Sequence, residues 1–97
     1  MWTVVDYEYI ELTGTTAVGF TASKLTPSTP PPEAALCQAG TAEVIVGCGV
    51  APTYSDPSTG ILVYPRGVFI VTGLPDLRSF GVVKFGANSG LQVQYLR

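Results

Sequence analysis

The sequence predicts an all-β fold, a small antiparallel β-sandwich or barrel of about eight short strands. Two observations carry this expectation. Gly (11 residues) and Pro (8 residues) are spread along the chain as punctuation rather than gathered in a tail. β-branched and aromatic residues fill the stretches between them, with no long helical period and no internal repeat. At 97 residues the chain amounts to one β-domain, 1–97. Two layers would give each apolar strand face something to pack on.

Residues 1–12 form an edge strand or an arm lying on a partner. Side chains alternate with period two, so Asp6 and Glu8 share a face with Trp2, Val4 and Ile10. Thr3, Val5, Tyr7 and Tyr9 fall on the other. Gly14 breaks the run, and Ala17 to Ser23 reads as a second short strand. Residues 26–33 are a Pro-rich loop, because proline cannot donate to a ladder and favours extended polyproline geometry. Ala34 to Ala39 and Ala42 to Cys48 look like paired strands around a Gly40-Thr41 turn, with Ala42, Val44, Val46 and Cys48 facing the core. Val50 to Gly60 is a second loop. Ile61 to Tyr64 is a strand, Pro65-Arg66-Gly67 turns the chain, and Val68 to Thr72 returns it. Leu74 to Ser79 holds one helical turn opened by Pro75. Phe80 to Phe85 and Leu91 to Leu96 read as a terminal hairpin. In its second strand Leu91, Val93 and Tyr95 alternate with Gln92 and Gln94, the clearest half-buried pattern in the chain.

Composition narrows the partners. Hydrophobic residues make up 46% and charged residues 12%, the latter about half the usual share. Such a bland exterior suits a protein whose faces are covered by neighbours. The five basic residues, Lys24, Arg66, Arg78, Lys84 and Arg97, are scattered. Direct nucleic-acid binding is not expected without a basic cluster to displace counterions. Apolar runs such as Val68 to Val71 are far too short to span a bilayer, so no membrane partner is expected. The first residues lack a basic start, and Asp6 and Glu8 interrupt the apolar stretch a secretory signal needs. A protein assembled in a cytoplasm fits. Cys37 and Cys48 are then expected to be small, buried and reduced.

Chemistry is sparse. There is no His for general acid–base work or for a zinc site. Neither cysteine has an activating cation near it in sequence. Asp6 and Glu8 project on one side roughly 7 Å apart by strand geometry, a spacing an inverting glycosidase could use only inside a deep cleft. A solvated edge that discourages strand addition is the simpler role for them. Gly47-Cys48-Gly49 lacks the following helix that makes a glycine turn hold phosphate. No catalytic residue, metal ligand or cofactor-binding residue is therefore assigned, and an enzyme is not expected. The aromatics Trp2, Tyr7, Tyr9, Tyr54, Tyr64 and Tyr95 could build a sugar platform or a protein interface, where such rings concentrate.

Gly19-Phe20-Thr21-Ala22-Ser23-Lys24-Leu25-Thr26-Pro27 resembles the LTASKYTP opening of small β-rich structural proteins of tailed phages and prophages. Ala42 to Val46 matches their A-x-V-x-V strand, and Gly49-Val50-Ala51-Pro52-Thr53 stands where they carry D-G-T-x-P-T. Leu77 to Val83, followed by Leu91-Gln92-Val93-Gln94-Tyr95, is similar to their x-F-R-A-I … L-x-V-x-Y finish. The resemblance spans roughly residues 17 to 96. This chain departs from it at Ile45-Val46-Gly47-Cys48, where a charged strand is usual, and in lacking the acidic residue of the loop.

The resemblance implies a virion protein, assembled in the host cytoplasm, with the major capsid protein or other virion proteins as partners. A capsid cement or decoration protein is the leading expectation, a homo-oligomer with a trimer favoured. Its contacts are expected at Trp2, Tyr7 and Tyr9 and at Pro30, Pro31 and Pro32. A head–tail connector or tail component is the alternative within the virion, separable by copy number per particle. A small carbohydrate-binding β-module is the alternative outside it.

Overall fold

The structure is a computed structural model and describes residues 2–25 and 31–97. Among the described residues seven strands run in chain order: β1 (Val4–Leu12), β2 (Ala34–Ala39), β3 (Val44–Cys48), β4 (Ile61–Val63), β5 (Val68–Thr72), β6 (Phe80–Lys84) and β7 (Ser89–Leu96). Two short helices, α1 (Ala22–Leu25) and α2 (Leu74–Ser79), and a single 3-10 turn at Pro57–Thr59 connect them. A four-stranded sheet has the order β1-β7-β2-β5, and a three-stranded sheet the order β4-β3-β6. Every strand pair is antiparallel. The fold is thus the expected small all-β sandwich.

The core lies between the sheets. Ile10, Leu12, Ala35, Cys37, Val71, Leu91, Val93 and Tyr95 face it from the larger sheet, and Val44, Val46, Phe80 and Val82 from the smaller. Phe20 stacks on Phe80 with ring centroids 4.3 Å apart and meets Tyr95 edge-on at 5.6 Å. Both geometries suit the aromatic quadrupole, and such pairs add about 0.5–1.5 kcal/mol beyond their buried area. α2 forms as the sequence predicts, with Pro75 in its first turn and the Leu77 side chain fully buried. Gly73 precedes it at φ 87°, a conformation glycine adopts without steric cost.

The expected strand at Ala17 to Ser23 is absent. Val18 alone bridges Val82, through bonds of 2.9 and 2.8 Å. Phe20 then turns into the core and the chain coils into α1. Strand neighbours also differ from the expected hairpins. β2 and β3 are not paired, nor are β4 and β5, nor β6 and β7; each couple is split between the two sheets. The connections are arches rather than hairpins. After β2, Gly40 donates to the Gly90 carbonyl at 2.9 Å, and Ser89 donates to the Ala42 carbonyl at 2.8 Å, which carries the chain across the sandwich. After β4, Arg66 donates to the Gly40 carbonyl at 3.0 Å and Ala39 to the Gly67 carbonyl at 2.9 Å. The Pro65-Arg66-Gly67 turn therefore docks on the end of β2 instead of folding β5 back onto β4.

The smaller sheet is covered on both sides. Ile45 and Val83 sit opposite each other on its outer face, yet both are fully buried. The loop from Val50 to Gly60 lies over them, with Pro52 buried against Gly47 and Gly81. Asp56 holds this loop by accepting from the Ser58 backbone at 3.1 Å and hydroxyl at 2.6 Å. Cys48, expected in the core, lies past the covered part of β3 and is exposed; Cys37 is buried.

Candidate interaction surface

The larger sheet is different: its outer face is open around Tyr7, Tyr9, Leu36, Val68 and Ile70, while Ala34 and Leu96 at one end of that face are buried. Alternation along β1 sends Glu8, Ile10 and Leu12 inward, and Tyr7 and Tyr9 outward at 65% and 58% exposure. The register then assembles two cross-strand rows. Tyr7 lies opposite Gln94, which lies opposite Leu36, which lies opposite Ile70. Tyr9 lies opposite Gln92, then Gln38, then Val68. None of these side chains is charged. All of them but Ile70 border a hollow of about 680 Å³ in which phenol rings and carboxamides flank aliphatic groups. The Tyr9 ring rests over Gly90, in space that a Cβ there would fill. Glycine is thus the residue that lets this ring lie flat on the sheet, the pairing known as aromatic rescue.

On the inner side of β1 the two carboxylates are held by α1 and its approach. Glu8 accepts from the Tyr95 hydroxyl at 2.5 Å, from the Thr21 backbone at 3.2 Å and from the Thr21 hydroxyl. Asp6 accepts from the Tyr7 backbone at 2.8 Å and from Lys24 Nζ at 3.0 Å. Those two donors, the backbone one first, hold the Asp6 carboxyl below its ordinary range. Asp6 and Glu8 do not form a free solvated pair. They pin α1 against the edge of the sheet.

The thiols are poor nucleophiles. Burial pushes Cys37 up to about 12. Partial burial, and then the negative charge of Asp76, raises Cys48 as well. Among the described residues no three metal-ligating groups converge, and no helix is long and apolar enough to cross a membrane.

The other residues singled out from the sequence are dispersed. Trp2 is 45% exposed beside the strand ends, where Thr3 and Arg97 exchange backbone bonds of 2.9 and 3.0 Å. Pro31 is half-buried and Pro32 buried. Pro32, expected at a partner contact, has its side chain inside the domain. Pro30 lies outside the described residues. Tyr95 is fully buried, Tyr64 is exposed at the Pro65 turn, and Tyr54 lies under Lys84 at 5.7 Å. The structure therefore joins Tyr7 and Tyr9, and not the others, into one surface. Its remaining members, Leu36, Gln38, Val68 and Ile70, escaped sequence reasoning because they come from strands distant in the chain. The one available signal was the alternation that turns Gln92 and Gln94 outward. No family model, curated protein or solved structure matches this chain.

Proposed function

We propose that the chain is a structural protein of a tailed-phage virion, a capsid cement or decoration protein that docks through the outer face of its larger sheet. The observation that supports docking is the pair of uncharged rows, Tyr7–Gln94–Leu36–Ile70 and Tyr9–Gln92–Gln38–Val68. A soluble monomer rarely leaves a wide apolar face uncovered, and tyrosines flanked by neutral groups are favoured interface anchors. The virion setting is supported by the sequence resemblance over residues 17 to 96. Binding would work by burying this face against a shell protein, with Tyr7 and Tyr9 as anchors. Single contacts of this size are weak, and display on a symmetric shell makes them firm through avidity.

The test is reconstitution on phage particles stripped of the chain. Wild-type protein should co-sediment with the shells in many copies and raise their thermal stability. Tyr7→Ala/Tyr9→Ala should fold normally and stay in the supernatant. Absence of the chain from purified particles would overturn the virion reading. A copy number matching one ring would move it to the head–tail connector.

One feature favours a second reading. Two exposed phenol rings beside the carboxamides of Gln38, Gln92 and Gln94, around one hollow, also match the chemistry of a neutral glycan. Specific retention on a glycan array, lost in the same double variant, would establish the carbohydrate-binding module instead.

A further inference from the structure

A β-sheet edge presents unpaired N–H and C=O groups, and proteins guard such edges by recurring means. Three of the four edges here are guarded. β1 carries Asp6, Glu8 and Glu11, and its register shifts between Val4 and Asp6. β4 is only three residues long. β6 has Val18 bonded along its free side. β5 has none of these protections. Its five residues, Val-Phe-Ile-Val-Thr, contain no charge and no proline, and its pairing with β2 runs without a bulge. Among the described residues, no hydrogen bond from another segment reaches its outer side; the neighbouring bonds involve only Gly67 and Gly73 at its ends. Val68 and Ile70 are also 62% and 45% exposed on the open face.

We propose that β5 pairs with β5 of a second copy of this chain, antiparallel and about a two-fold axis at Ile70, to make one continuous eight-stranded sheet. Charge permits it, since neither edge brings an ionised side chain to the other. Symmetry favours it, since one contact of the isologous kind satisfies the same exposed edge on both copies. In an antiparallel pair centred on Ile70, Ile70 faces its own counterpart and Val68 faces the partner's Thr72. β-branched cross-strand pairs of this kind stabilise sheets. The axis stands perpendicular to the sheet, so the two open faces lie on the same side and form one wider docking surface. A two-fold pair differs from the trimer that the resemblance implies. The pairing does not depend on the virion reading and can fail separately from it. Edge-to-edge contacts fall at the small end of interface sizes, so the dimer is concentration-dependent.

The test is sedimentation velocity on the full chain over a wide concentration range, with circular dichroism to check folding. Wild type should pass from monomer to dimer. Ile70→Lys and Ile70→Glu should each weaken self-association by about tenfold or more, because they set like charges opposite one another. An equal mixture of the two variants should recover the dimer, which only direct apposition of position 70 on two copies produces. Should either variant misfold, the doubly substituted chains Val68→Lys/Thr72→Lys and Val68→Glu/Thr72→Glu form an equivalent pair, each self-repelling and the two complementary. A wild-type monomer at all concentrations, a trimer, a dimer indifferent to these charges, or a folded mixture that stays monomeric would overturn the pairing.

Discussion

The Tyr95 hydroxyl donates to the Glu8 carboxylate at 2.5 Å, joining residues 87 positions apart in the chain. Tyr95 is fully buried, and its phenol would have no water to turn to without this acceptor. The bond fixes β1 to β7 and, through Thr21, fixes the approach to α1.

Removing either partner should destabilise the fold, but unequally. Tyr95→Phe deletes the donor and leaves Glu8 with its Thr21 bonds, at a cost of about 1–2 kcal/mol. Glu8→Ala leaves a buried hydroxyl unsatisfied and releases Thr21, at a cost of about 2–3 kcal/mol. Urea unfolding of both single variants and the double variant measures the coupling. Additive losses would show that the bond contributes nothing of its own.

Stability should fall in alkali. Burial raises the Cys37 thiol to about 12; burial first, and then the hydrogen bond to Glu8, raises the Tyr95 phenol. In the unfolded chain these groups ionise near their ordinary values, about 8.5 and about 10. The folded protein thus keeps protons that the unfolded chain has released, and raising the pH favours unfolding. The stabilisation is complete below about pH 8.5 and declines from there toward about pH 12, with Tyr95 adding to the loss above about pH 10. Urea midpoints measured from neutral to alkaline pH check this. Cys37→Ala should delay the onset of the decline, and an unchanged profile in that variant would contradict the assignment.

Gly60→Ala should be among the costlier single-methyl changes. A Cβ at Gly60 would stand 2.5 Å from the Val46 carbonyl oxygen and 2.9 Å from Ile45 Cγ2. Gly60 has extended φ, so the penalty comes from space and not from backbone strain. Pushing the loop off the outer face of the smaller sheet should cost about 1–3 kcal/mol. Thermal melts of the variant read it directly; a melting temperature equal to wild type would mean that the loop is free to shift.

The two thiols should separate cleanly in a labelling experiment. Cys48 is exposed and Cys37 buried. Native protein should take up thiol reagent at Cys48 alone, slowly at neutral pH because that thiol is raised. Cys37 should react only in denaturant. Mass spectrometry of the labelled peptides decides this, and native labelling of Cys37 would show that the sandwich opens locally.

Much of the local structure was legible in the sequence. Leu91, Val93 and Tyr95 alternate with Gln92 and Gln94, and the strand buries and exposes those side chains in that order. Pro75 marked α2, and the glycine- and proline-rich stretch from Val50 to Gly60 is a loop. Tyr7 and Tyr9 were assigned to one face of a strand and share it. Val18 shows where local pattern falls short. It sits in a run with strand composition, yet only a single bridge forms, and two residues on Phe20 turns inward to stack on Phe80.

By itself the sequence determined that this is a β protein, where most of its strands lie and which way side chains point along them. These are period-two and turn properties that each short segment carries alone. Tertiary structure decided which strands became neighbours, and hence that Tyr7, Gln94, Leu36 and Ile70 form one row and that β5 is left at an edge. A hairpin and an arch use the same alternating strands. The choice between them rests on burying two apolar faces against each other, and that free energy is shared among residues far apart in the chain.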